Sequence, residues 1–279
     1  TATTDDSDVT IVGIGTGTVT ITGPNTPGLQ IGGDIDGEAA DDNSGQSVSL
    51  SSDGSIVAIG AWKNDGNGSN SGHVRVYQYS NSSWTQLGAD IDGEASSDFS
   101  GWAVSLSSDG SIMAIGAPGN DGNNNLSGQV RVYQYSNSSW TQLGSDINGE
   151  LSQDELGRAV SLSSDGTILA AGAIYNDGNG SMNKGHVRVY QYSNSSWTQL
   201  GDDIDGEAYN DKSGWSVSLS SDGSIVAIGS FQNNSLTGHV RVWQYSNSAW
   251  IRRNDIDGEA TGDYSGYSVS LSSDGSIVA

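Results

Sequence analysis

Three histidines, His73, His186 and His239, each stand immediately before the word Val-Arg-Val. Histidine is the side chain best suited to general acid–base work or metal ligation near neutral pH. A catalytic triad or a metal cluster needs such groups to converge with a nucleophile or further ligands. Here the identical setting of all three argues for separation, because equivalent positions of a repeat are spread through the fold. Arg75, Arg131, Arg188 and Arg241 obey the same rule, two places after each His or, once, after Gln129. They are expected as outward-facing strand charges paired with neighbouring acids. The chain is therefore expected not to be an enzyme.

Acids offer the second kind of chemistry. Asp34, Asp36, Glu38 and Asp42 recur as Asp90, Asp92, Glu94 and Asp98, and again as Asp203, Asp205, Glu207 and Asp211. Alternate acids around a Gly resemble the presentation of oxygen ligands to calcium, the one cofactor this pattern allows. The same acids would serve equally as turn caps that accept backbone N–H groups and hold one unit to the next. Asp65-Gly-Asn67-Gly-Ser69 and its copy at Asp177 read as surface loops. Sequons begin at Asn67, Asn81, Asn125, Asn137, Asn179, Asn194 and Asn233, all in expected turns or loops, and are glycosylation candidates in an exported protein.

These residues sit on a repeating frame. The word Asp-Ile-Asp-Gly-Glu-Ala or a near copy starts at 34, 90, 146, 203 and 255. Between copies the same phrases follow in order, as in SGWAVSLSSDG (100–110), SIMAIGAPGND (111–121), SGQVRVYQYSN (127–137) and SSWTQLGSDINGE (138–150). Val-Ser-Leu-Ser and Ile-Met-Ala-Ile flank an Asp-Gly turn, which suits a tight hairpin. Val-Arg-Val-Tyr-Gln-Tyr alternates as a half-buried strand should, and no window holds a helical period. Four short antiparallel strands per unit predict an all-β fold, a β-propeller of four-stranded antiparallel blades. Small residues in the first two strands suit the axis. Trp84, Trp140, Trp197 and Trp250 at one equivalent place suit the wider wedge between blades.

The unit running from SGWAVSLSSDG through IGAPGNDG to VRVYQYSNSSWTQLG resembles an FG-GAP repeat, the blade of integrin α-chain-like propellers. The Gly of the Phe-Gly pair is matched by Gly45, Gly101, Gly157, Gly214 and Gly266, and Gly-Ala-Pro by Gly116-Ala117-Pro118. The resemblance implies the fold and says little about activity. Its family calcium loop would lie between the first two strands, where Ser-Ser-Asp-Gly-Ser is too short to wrap a cation.

By this register one domain spans 1–279, with blades at about 45–88, 101–144, 157–201 and 214–253. A fifth would join 266–279 to N-terminal strands at 17–33. Residues 1–16 leave one strand in excess, read as an assembly segment. Val9, Ile11, Val12 and Ile14 would then pair with Val269, Leu271, Ile277 and Val278 of another copy. Ten Lys and Arg against 33 Asp and Glu give a formal charge of −23, which repels nucleic acid. No apolar run is long enough to span a bilayer, and there is no Cys. The resulting expectation is an extracellular or cell-surface structural protein that builds a filament or layer with copies of itself. The alternative is a monomeric adhesion module binding protein or glycan through one propeller face.

Overall fold

The computed structural model describes residues 10–14, 18–22, 30–177 and 183–279. Four antiparallel sheets follow one another along the chain, each with its strands in sequence order. The first contains Ser44–Leu50, Ile56–Ala61, His73–Ser80 and Ser83–Gln86. The second contains Ala103–Leu106, Ile112–Ala117, Gln129–Ser136 and Ser139–Gln142. The third contains Leu156–Leu162, Ile168–Ala173, His186–Ser193 and Ser196–Gln199. The fourth contains Ser216–Leu219, Ile225–Ser230, His239–Ser246 and Ala249–Asp257. Each sheet is a propeller blade.

The first strands of successive blades lie against one another. Each lends a serine hydroxyl to the next: the Leu106 amide donates to Ser49 Oγ at 2.9 Å, and Leu162, Leu219 and Leu271 repeat the contact with Ser105, Ser161 and Ser218 at 3.0 Å. The second strands are apolar on both faces, as flanked strands must be. Val57, Ala58 and Ile59 are 1% exposed or less, as are Met113, Ala114 and Ile115 in the next blade. The Asp-Gly hairpins close the opposite end. Asp53 accepts the Ser51 hydroxyl at 2.7 Å and the Ser55 amide at 2.9 Å, and Asp109, Asp165, Asp222 and Asp274 repeat the bonds.

The outer edge is held by the repeated Trp. Trp140 Nε1 donates to Leu87 O of the preceding connector at 2.7 Å, and the ring tilts on Tyr135 with centroids 5.1 Å apart. Gly88 has φ +82, and an added Cβ would stand 2.8 Å from Trp140 Cδ1, so only Gly fits beneath the ring. This kink splits the outer strand: Ile91–Asp92 rejoins the third strand beyond it. The fourth blade has no such glycine, and its outer strand Ala249–Asp257 is continuous, with one register shift opposite Val242 and Trp243.

Two expectations shift. Thr18–Thr22 pairs with Thr10–Ile14 as a two-stranded sheet; no described pairing joins it to the tail, where Leu271 bridges Val278. Ile11, Val12 and Ile14 fall in that sheet, and Val9 lies outside the described residues. The full five-blade count thus rests on sequence; four complete blades and the first hairpin of another are described. One helical turn, Asn233–Leu236, also replaces a loop.

Candidate active site at the axial mouth

Because the first strand is innermost, residues just before it and just after the second strand share one end of the propeller axis. There the repeat is abandoned. Four connectors end in a buried Asp whose carboxylate caps its own turn, and the exposed Asp263 makes the same caps in the fifth. Asp98 accepts the Glu94 and Ala95 amides at 3.0 and 2.9 Å and Asn120 Nδ2 at 3.0 Å. Asp42, Asp154 and Asp211 do the same work. The next residue is Asn43, Phe99, Glu155, Lys212 or Tyr264, always with φ between 53° and 57°. That left-handed conformation suits Asn and is costly for Phe, Glu, Lys and Tyr. Two places after a following Ser or Leu come Gln46, Trp102, Arg158, Trp215 and Tyr267.

These variable side chains meet. Arg158 Cζ lies 3.9 Å from the Trp102 ring centroid and 5.1 Å from that of Trp215, bridging blades two to four. Glu155 Oε2 stands 3.6 Å from Arg158 Nη1. Lys212 Nζ reaches Tyr175 Oη at 3.5 Å and lies 4.6 Å from its ring. Trp62 packs on Trp102 and Phe99 at 4.7 and 5.3 Å, with Lys63 4.7 Å over its ring. Trp215 packs on Phe231 and Tyr267 at 4.5 and 5.5 Å. Burial pushes the Glu155 carboxyl above its usual range, against the opposing pull of Arg158 and Lys212. Burial likewise lowers Arg158. A partly buried carboxylate, two cations and flat aromatic rings are components that a base-assisted hydrolytic site can use.

The histidines do stay apart. Each is buried between blades, and burial lowers its pKa, keeping the imidazole neutral. Their register partners are instructive: His73 opposes Asp92, His186 opposes Asp205 and His239 opposes Asp257, whereas Gln129 opposes Asn148. The four repeat arginines are corrected from outward-facing to buried, at 3–9% exposure, because each lies under the preceding connector. Arg75 and Arg131 donate to the carbonyls of Asp36 and Asp92 at 2.6 and 2.7 Å. Arg188 forks onto Asp203 at 2.7 and 2.8 Å and reaches Glu150 at 2.5 Å. Arg241 pairs with Glu207.

The connector acids thus point to different neighbours. Asp34 and Asp90 accept Gln30 and Gln86 amides, and Asp203 accepts Arg188 and Gln199. Glu94 accepts Gln129 Nε2, and Glu207 also pairs with Arg252. Asp92 stands 4.0 Å from His73, and Asp205 lies across the strand from His186. Within the candidate set, Glu38 and Asp90 do converge, together with His73. Of the sequons, Asn81, Asn137 and Asn194 sit at exposed turns, and Asn179 lies outside the described residues. Asn125 lies in a turn; Asn67 and Asn233 spend their side-chain amides on Gly93, Glu94 and Asp211.

A model of the FG-GAP repeat matches residues 35–77 and 89–133. The chain carries FG-GAP repeats. No curated protein sequence matches it. Among solved structures, it is similar to a Bacteroides uniformis protein provisionally named as a 6-phosphogluconolactonase, with 14% identity and a TM-score of 0.60, covering 92% of this chain and 69% of that one. A periplasmic gluconolactonase of Pseudomonas aeruginosa aligns with 16% identity and a TM-score of 0.56, over 88% of this chain and 65% of that one. A Lactobacillus plantarum protein aligns with 13% identity and a TM-score of 0.59. At such identities the likeness is one of fold, and the FG-GAP chain spans about two thirds of these relatives. Against the expectation of a non-enzymatic filament, layer or adhesion protein, two of these three propellers are named as lactonases, one of them provisionally. Equivalent repeat positions were expected to keep reactive groups apart. Repetition disperses the histidines and the repeat arginines, whereas the non-repeating residues at the ends of the first strands meet one another.

Proposed function

We propose that this FG-GAP propeller is a hydrolase of a cyclic ester of the sugar-lactone type, acting at the axial mouth. The carrying observation is the partly buried Glu155 held 3.6 Å from Arg158, with Lys212 beside it and Trp102 and Trp215 packed on that arginine. The lactonase names of structural neighbours support the same reaction class. Glu155 takes the proton of an attacking water as oxygen adds to the ester carbonyl. Arg158 and Lys212 stabilise the tetrahedral oxyanion; as it collapses the ring C–O bond breaks, and the leaving oxygen takes the proton back from Glu155 to become a hydroxyl, so that lactone and water give one hydroxy acid and the carboxylate is regenerated. Aromatic faces match the apolar face of a pyranose-like ring. An extracytoplasmic location is compatible with the periplasmic neighbour, and display at the cell surface is the finer form of that reading.

The test is lactone opening followed by acid release near pH 6.5, where spontaneous hydrolysis is slow, using glucono-1,5-lactone and its 6-phosphate. Turnover above background is expected, falling about 10²- to 10⁴-fold in Glu155→Gln. Background rates on both, or equal rates for wild type and Glu155→Gln, would overturn the proposal.

A further inference from the structure

We propose that the first blade holds a divalent cation of the zinc class, on His73, Glu38 and Asp90. One ligand atom from each of the three lies within 4.8 Å of the others, the reach of a single ion. The ligands come from three places: the connector before the blade, its third strand, and the connector after it. His73 is 1% exposed, and its Nδ1 looks toward carboxylates at 3.8 Å on Glu38 and 4.0 Å on Asp92, beyond hydrogen-bonding range of either.

The other three blades act as internal controls, because each carries the same constellation in altered form. In the third blade Arg188 bonds both Asp203 and Glu150, occupying the carboxylates that would join His186. In the fourth, Arg241 and Arg252 both pair with Glu207. In the second, Arg131 donates to the Asp92 carbonyl and stands 3.9 Å from Glu94, but Gln129 stands where His would be and donates to Glu94. Among the described residues, the first blade combines a histidine with an arginine hydrogen-bonded to a carbonyl, Arg75 on Asp36 at 2.6 Å, its other nitrogen standing 3.9 Å from Glu38, beyond hydrogen-bonding range. One imidazole nitrogen with two carboxylates suits Zn²⁺ or Co²⁺; calcium requires six to eight oxygens and is disfavoured.

The probes are ZnCl₂ by isothermal titration calorimetry and CoCl₂ by visible absorption, on the full chain. About one equivalent of either metal is expected to bind, with Co²⁺ giving a d–d band and CaCl₂ giving no heat. His73→Gln should weaken zinc at least tenfold, whereas His186→Gln should leave it unchanged. Gln is already accommodated at this place in the second blade, so His73→Gln is expected to fold, and its melting curve verifies that. Absent binding, or the same stoichiometry and affinity in folded His73→Gln, would overturn the proposal.

Discussion

Glu155 carries two costs at once: a left-handed backbone, φ 54°, and a carboxyl whose charged form is disfavoured by burial. Asn43 stands at the same repeat position, where its short amide suits that conformation. Because the folded pKa of Glu155 lies above its unfolded value, the ionised carboxylate opposes folding at neutral pH, and that opposition vanishes as pH falls below the unfolded value. Glu155→Asn should therefore stabilise the protein by about 1 kcal/mol, seen as a rise of about 3 °C in the calorimetric melting midpoint. The same variant should lose turnover, a trade expected where a strained residue serves chemistry. In the wild type the acidic limb of the rate profile should sit above the ordinary glutamate range. A variant that melts lower and retains activity would make Glu155 an ordinary structural residue.

At the scale of elements, the Asp-Gly hairpins are the repeated stabilising device. The Ser55 amide and then the Ser51 hydroxyl, both donating to Asp53, hold its carboxyl below the usual range; Asp222 is held likewise by Ser224 and Ser220. A depressed folded value means stability fully present above the ordinary carboxylate value and lost as pH falls through the lower, folded one. Chemical melts from pH 5 to 2 should show that loss. Asp109→Ala should cost about 1 kcal/mol at neutral pH and shrink the acid-dependent component; an unchanged acid limb would assign it to other carboxylates. These hairpins and the strand order were legible in the sequence, because a fixed repeat and an Asp-Gly turn both act locally. The Asp98 cap was legible as one of two readings, and its bonds to Glu94, Ala95 and Asn120 are those of a turn cap. The mouth was not legible, because Phe99, Trp102, Glu155, Arg158, Lys212 and Trp215 are scattered over more than a hundred positions. Their signal was nonetheless present: they are the places where otherwise near-identical units disagree.

For the whole molecule, charge opposes compactness. A formal charge of −23 confined to one propeller repels itself, while the compensating cations are few and mostly committed. Arg75, Arg131, Arg188 and Arg241 are buried between blades against Glu38, Glu94, Glu150 and Glu207, so salt screens those attractions weakly. The excess acids on the connectors are exposed, and salt screens their mutual repulsion efficiently. Raising NaCl from 10 mM to 1 M shortens the screening length from about 30 Å to about 3 Å. The balance should favour the folded chain, and the melting midpoint should rise with salt, most steeply at the low end where screening changes fastest. Apolar burial contributes a gentler gain across the whole range, so the curvature at low salt separates the two causes. A midpoint that falls with salt would mean that the inter-blade ion pairs outweigh surface repulsion. In that case Arg131→Gln, which removes one buried partner of Glu94, should flatten the salt dependence as it lowers stability.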